Sequence, residues 1–202
     1  ETLEQLGKVK ETVLRVANDT AVLNADDRLC LKMAGNVRAK HICYITMDPT
    51  HGLVREHIPA NGRAVVLEKG INGDMITIYD HGAHIPLLWS HLIPATIEGK
   101  AMHNVQNAMF AAAMAYSFGK DLEEIRQGLR TFDTSFYQSP GRTNVFNEHP
   151  FKVILDYAHN PAGFRAMADL ADKLEPSGRR TIVFSVPGDR RDEDIRESAL
   201  AC

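Results

Sequence analysis

Cysteine is scarce in this chain: Cys30, Cys43 and Cys202 in 202 residues, an odd number with no CxxC pair. A disulfide framework is thereby excluded as the organising principle, and a reducing compartment is expected. No apolar run approaches the roughly 18 residues of a membrane span, and no signal-like segment opens the chain. The expected location is therefore cytoplasmic, with no membrane partner. Neither charge sign dominates, since 23 basic residues stand against 26 acidic ones for a formal net charge of −3. Nucleic-acid binding driven by bulk charge is excluded, although a local cationic pocket is not. Several chemical signatures are missing too. Gly7-Lys8, Gly99-Lys100 and Gly119-Lys120 are followed by Val, Ala and Asp, so no GxxxxGK[ST] phosphate loop exists. GxGxxG, GxSxG and HExxH do not occur either. Of nine histidines only His81 and His84 are closely spaced, in a hairpin turn with no third ligand nearby, and no metal site is expected from them.

What is present is ordinary globular material, 44% hydrophobic and 24% charged, enough for one large domain or two small ones. Leu3, Leu6, Val9, Val13 and Val16 recur near one face of a helix. "TAVLNADD" (20–27) reads as a short buried strand whose acids suit the start of a helix over 28–34. "HICYIT" is strand-like, and "AVVLE", "MITIYD" and "HIPLLW", separated by Gly-containing turns, read as a β-meander. The Ala-rich segment 102–119 is a helix closed by Gly119, and Asp121 with Glu124 forms a capping box for a helix over 122–132. "SPG" (139–141) marks a domain boundary. Beyond it, 142–147 and 151–155 read as strands, 161–174 as a helix and "RTIVFSV" (180–186) as a buried strand. That order predicts a βαβ unit with parallel strands, which would bring Asp156 and the "PGDRRDED" loop (187–194) to one sheet edge.

Four places could carry chemistry. In "DYAHNPAG" (156–163), Asn160 and Pro161 are a helix cap and first-turn proline that need no function. Asp156 and His159 lie before the cap and are unexplained by it; an acid there suits a ribose diol, and the imidazole suits stacking or hydrogen bonding near a nucleotide. In "HNVQN" (103–107), Asn104 and Asn107 share a helix face. Their amides offer the donor–acceptor pair that reads an adenine edge, or they simply cap the helix. Arg142, just after the boundary, could hold phosphate oxygens and offset charge during phosphoryl transfer, or be an idle surface residue. Asp189, Arg190 and Arg191 could orient an acyl phosphate or an incoming amine, or form a solvated helix start.

"NADD", "HNVQNA", "PGR" and "DYAHNPAG", in this order, resemble the Mur ligase family of ATP-dependent amide ligases. The resemblance implies an α/β fold in which residues 1–140 are the second half of a central ATPase domain, with a small β-meander. Residues 141–202 would be the first part of a truncated Rossmann-like C-terminal domain. It implies ATP and Mg²⁺ as cofactors, the magnesium ligands lying outside this sequence. By position, Asn104, Asn107, Arg142, Asp156 and His159 resemble ATP-binding residues, with Arg142 also catalytic, and Asp189, Arg190 and Arg191 resemble substrate-binding residues. "DYAHNPAGF" followed by "PGDRRDEDI" is most similar to the branch that joins arginine to the side-chain carboxylates of poly-aspartate. An aspartate–arginine polymer and arginine are then the expected partners, and a homo-oligomer is compatible with the sequence. Other Mur-type ligases, of peptidoglycan precursors or folate, and a non-catalytic nucleotide-binding module are the alternatives. The start at Glu1 and the stop at "RESALAC" suggest a piece of a longer chain, inactive as a ligase by itself.

Overall fold

The structure is a computed structural model that describes residues 2–175, 177–188 and 190–202. Helix α1 (Leu3–Arg15) opens with a capping box between Thr2 and Gln5, which satisfies two backbone donors at once. Its apolar stripe does not enter the core. Leu3, Leu6, Val9 and Val13 are exposed, while Gly7 and Glu11 are the buried positions, because the glycine lets α1 pack closely on Met33.

Strand β1 (Thr20–Asn24) is followed by α2 (Arg28–Met33), whose first turn is capped by the Asp27 carboxylate on Cys30 N–H. Strand β2 (His41–Thr46) is followed by the short helix α3 (Gly52–His57), which the apolar periodicity does not announce. Then come β3 (Arg63–Gly70), β4 (Gly73–Asp80) and β5 (Ala83–Trp89). The five strands form one sheet in sequence order, parallel for β1–β2–β3 and antiparallel for β3–β4–β5. Helices α4 (Met102–Ser117) and α5 (Leu122–Thr131) follow.

Period-two alternation in β3 explains the layering. Val65 and Leu67 face a core built with Ile45, Ile76, Ile78, Val105 and Met109, so α4 and α5 cover that side. Ala64 and Val66 face the opposite cluster with Leu23, Tyr44 and Val54, which α2 and α3 cover. Ala108, Ala112 and Ala113 let α4 lie close to the sheet, and Gly119, at φ +77°, ends the turn after it.

The last turn of α4 is fixed at the amino ends of the parallel strands. Arg63, at the start of β3, makes a bidentate pair with Asp80 (3.0 and 3.2 Å) and also donates to Thr20 and Ser117. Tyr116 donates to the same carboxylate (3.1 Å), and Arg63 lies 5.1 Å from the Tyr116 ring. Helix α4 therefore runs antiparallel to β1–β3, and its first turn lies at their carboxyl ends, where open α/β sheets bind ligands.

Beyond residue 140, β6 (Asn144–Phe146) and β7 (Val153–Leu155) form an antiparallel pair, followed by α6 (Pro161–Leu174) and α7 (Asp192–Ala201). The expected parallel βαβ unit is not formed: residues 180–186 enter no ladder. A parallel strand is stable where both of its faces are covered. Here Phe184 meets Phe164 of α6 edge-on, but its neighbour Val183 is 95% exposed. Strand β7 pairs instead with β6, the segment directly before it.

The Arg63–Asp80 pair makes stability depend on pH in a definite sense. Burial pushes the Asp80 carboxyl up, but the Arg63 guanidinium, His81 and Tyr116 outweigh it and hold the group below its ordinary value. A depressed carboxyl stabilises the fold above the unfolded value, about 3.9, and that contribution is lost as pH falls through the folded value. Asp80→Asn is expected to cost about 2–3 kcal/mol at pH 7 and to flatten the acid limb of the thermal-unfolding profile. An acid limb identical to that of the parent would contradict this.

Candidate functional site

Residues 90–101, which deliver α4 to the sheet edge, carry unusual backbone geometry. Two single 3₁₀ turns, Ser90–Leu92 and Pro94–Thr96, are locked by the buried Thr96 hydroxyl, which bonds the Ser90 and Ile93 carbonyls at 2.7 Å and accepts from Gly99 N–H. Ile97, Glu98 and Gly99 then take three consecutive left-handed conformations (φ +53°, +56° and +78°). For a β-branched residue such as Ile97 this costs about 1–2 kcal/mol. Helix α4 begins at Met102 with no side-chain cap at Ala101, and its first turn is met by the backbone instead, Met102 N–H donating to Lys100 O (3.1 Å) and Asn104 N–H to Ala101 O (2.9 Å).

Asn104 and Asn107 behave as a pair. The Asn104 amide donates to Ala95 O (2.8 Å), and its oxygen accepts from Asn107 Nδ2 (3.2 Å). Asn104 is thereby immobilised. Asn107 is exposed and keeps its oxygen and a second N–H for a ligand, a combination suited to a purine edge.

The crossing to residues 141–156 is held by Asn144, which is 2% exposed. Its amide donates to Thr134 O (2.7 Å) and Ser139 O (2.9 Å), and its oxygen accepts from Gly141 N–H (2.7 Å). Next to it Thr143 is buried at φ +53°, another left-handed β-branched residue. The Thr143 N–H (2.8 Å) and hydroxyl (3.0 Å) both donate to Asp156 Oδ2. His103 Nε2 lies 3.1 Å from the same hydroxyl. Because that hydroxyl gives its proton to Asp156, we assign the Nε2–H tautomer to His103, donating to Thr143 Oγ1. Burial pushes the His103 imidazole below its ordinary value, with Asp156 opposing and Lys173 adding to the shift. Lys173 of α6 also reaches Lys100 O (3.4 Å), a second contact between the start of α4 and the C-terminal segment.

Arg142 is exposed, its guanidinium 5.2 Å from the centre of the Tyr157 ring, a cation–π geometry that limits its wandering. His159 bonds Tyr157 O through Nδ1 (3.0 Å), and Asn160 caps α6 through Gly163 N–H (2.8 Å), as its position predicts. Asp156 lies on the rim of an open groove of about 970 Å³ between β7, α6 and residues 177–184, lined also by Phe164, Met167, Ala171, Arg180 and Phe184.

The structure thus brings Asn104, Asn107, Arg142 and Asp156 to one region, through His103 and Thr143, which the motif reading passed over. Arg191 is engaged elsewhere, making a two-pronged pair with Asp194 (2.9 and 2.8 Å) at the start of α7. The Arg190 N–H donates to Pro187 O, and Asp189 lies outside the described residues. His81 and His84 bond Asp80 and Glu68. No group of three or more His, Cys, Asp or Glu among the described residues is arranged to hold a metal ion, so the side chains described do not fit a magnesium site. No described helix is long and apolar enough to cross a membrane.

Comparison with known proteins agrees with the family resemblance. Residues 141–201 match the family described as Mur ligase, glutamate ligase domain. The chain is 42% identical to the cyanophycin synthetase of Synechocystis sp. over 98% of its own length and 22% of that protein's. It is 39% identical to the cyanophycin synthetase of Crocosphaera subtropica over 96% of its length, again 22% of the relative. A UDP-N-acetylmuramoyl-L-alanyl-D-glutamate–2,6-diaminopimelate ligase of Caldanaerobacter subterraneus is 26% identical over 94% of the chain and 35% of that protein. The fold is similar to folylpolyglutamate synthase of Thermotoga maritima, with a TM-score of 0.52, 19% identity, and coverage of 85% of this chain and 35% of the other. The chain spans about a fifth of the length of the cyanophycin synthetases it matches.

Asn144 yields a stability test that is independent of any ligand. Asn144→Ala leaves the Gly141 donor and the Thr134 and Ser139 acceptors without their buried partner, at a cost of about 2–4 kcal/mol. Urea unfolding followed by circular dichroism should show that loss; a change below about 0.5 kcal/mol would mean that water replaces the amide.

Proposed function

We propose, from the premise that residues 141–201 are a Mur ligase glutamate ligase domain, that this chain forms part of an ATP-dependent carbon–nitrogen ligase acting in the cytoplasm. Its share of the site is the wall between the start of α4 and the Arg142–Asp156 segment. The observation that carries this reading is the His103–Thr143 contact, which joins the asparagine pair of α4 to Arg142 and Asp156. In this reading Asn107, steadied by Asn104, meets the adenine edge. Asp156 accepts the ribose hydroxyls, with His159 beside it. Arg142, restrained by Tyr157, lies against the phosphates and offsets charge as the γ-phosphoryl group moves.

The reaction follows from the ligase class. A substrate carboxylate oxygen attacks the γ-phosphorus, the bond to ADP breaks, and an acyl phosphate forms. An amine nitrogen then attacks the acyl carbon; the tetrahedral intermediate expels phosphate, and the nitrogen loses a proton to leave an amide. Divalent metal, when bound, would neutralise phosphate charge. The 42% identity to a cyanophycin synthetase, against 26% to a peptidoglycan-precursor ligase, favours arginine as the amine and the side-chain carboxylates of poly-aspartate as acceptors. Arg190 and Arg191 are the described residues proposed to meet those substrates, Arg191 on leaving its pair with Asp194. Residues 1–202 contain no phosphate loop, and by themselves would not form the amide.

Steady-state kinetics of the full-length ligase test this reading. Asp156→Ala is expected to raise KM for ATP about tenfold or more, and Arg142→Ala to lower kcat about 100-fold. An unchanged KM in the first variant removes the sugar from Asp156. ATP-dependent arginine incorporation by residues 1–202 alone would refute their inactivity.

A further inference from the structure

We propose that Thr143, supported by His103, is a positioning residue that presents the Asp156 carboxylate to the nucleotide. The inference rests on the reading that Asp156 binds the nucleotide, and it adds two residues that the motifs do not assign.

Three observations converge on Thr143. It is a β-branched residue held at φ +53° in a site that is 2% exposed, a conformation that glycine or asparagine would adopt with less strain. Such strain persists where the surroundings fix it, and it marks functional places more often than neutral ones. Its backbone N–H and hydroxyl both end on one oxygen, Asp156 Oδ2, so neither bond uses Oδ1. With its one proton given to Asp156, the hydroxyl can meet a further group only as an acceptor, and His103 Nε2, at 3.1 Å, donates to its lone pair and holds the hydroxyl in that orientation. The left-handed turn is what aims both donors of one residue at one carboxylate oxygen.

The consequence is directional. His103 stands next to Asn104 on α4, while Thr143 stands next to Arg142. Each member of the hydrogen-bonded chain His103–Thr143–Asp156 is thus tied to a proposed nucleotide contact. The chain fixes the separation between the adenine side and the sugar side before any ligand arrives, which reduces the ordering cost of binding.

The test uses the full-length ligase with ATP as the varied substrate. Thr143→Val keeps the β-branch and deletes the hydroxyl; it should raise KM for ATP about tenfold while kcat stays within about twofold. Thr143→Ser restores the hydroxyl and should return KM to within about twofold of the parent. In an Asp156→Ala background, Thr143→Val should raise KM no further, because residues acting as one unit are not additive. A purely structural role would instead give additive losses and no rescue by serine, and either result overturns the proposal. An unchanged KM in Thr143→Val, with Asp156→Ala raising it, overturns the positioning role and leaves the nucleotide reading standing. An unchanged KM in Asp156→Ala removes both. Should Thr143→Val fail to fold, His103→Leu against His103→Gln decides the matter. Loss in the leucine variant with recovery in glutamine, which keeps an N–H donor, supports the chain of bonds; equal KM in both overturns it.

Discussion

A chain that leaves a helix-covered sheet and goes on to a separate two-stranded pair must satisfy the backbone polar groups of the crossing, and here one buried side chain meets much of that demand. The Asn144 amide bonds Thr134 O, Ser139 O and Gly141 N–H, closing residues 134–144 into a compact loop. A buried polar group is stable only when its bonds are complete, and each of these three involves the main chain. The loop therefore has little freedom to relax, and Thr143 directly beside it is forced into the left-handed region. Everything that meets at the sheet edge depends on this: Arg142 precedes the strained residue, Asp156 receives its two donors, and His103 meets its hydroxyl.

Helix α4 transmits that arrangement because its two ends are fixed by different chemistry. At its carboxyl end the charged cluster of Arg63, Asp80, Tyr116 and Ser117 ties it to the amino ends of β1 and β3. At its amino end the ties are neutral and specific, Asn104 to Ala95 O and His103 to Thr143. Between them an alanine-rich face lies flat on the sheet, burying Val105, Met109 and Ala112. A rod held at both ends and packed along its length positions Asn107 to within side-chain freedom, which is the preorganisation that the proposed nucleotide contact would need.

Much of this was legible in the sequence, and the boundary is a physical one. Elements defined by local rules were read closely: the capping box at Asp121, the helix starts at Asp27 and Asn160, the glycine stop at Gly119, and the β-meander. The four motifs likewise pointed to the family that the comparisons bear out. Failures came where tertiary surroundings decide. The run 180–186 is apolar enough for a buried strand, yet pairing needs a neighbour and cover on both faces, which no local pattern encodes. Helix α1 has a clean apolar stripe, but packing chose the glycine face. His103 stands inside a motif and Thr143 directly after one, and neither is marked by local pattern, because their interest lies in a contact across 40 positions of sequence. The one signal that could have flagged Thr143 is its place directly after Gly-Arg, in a turn that demands φ > 0.

The distribution of strain sharpens the same point. Among the described residues five non-glycine positions have positive φ, and two of them, Asn61 and His81, are residue types that tolerate it in turns. The remaining three, Ile97, Glu98 and Thr143, lie on either side of the start of α4, and two of the three are β-branched. At about 1–2 kcal/mol each, against a net stability of about 5–15 kcal/mol for a typical domain, such choices are not neutral. The first pair turns the chain sharply so that α4 starts with its N–H groups uncovered by a side chain. Thr143 turns it so that two donors reach one carboxylate oxygen. Both deformations flank the first turn of α4, which His103 joins to Thr143. Strain that merely reflected poor packing would be scattered through loops; strain gathered around one set of polar groups is what the proposed binding wall would require.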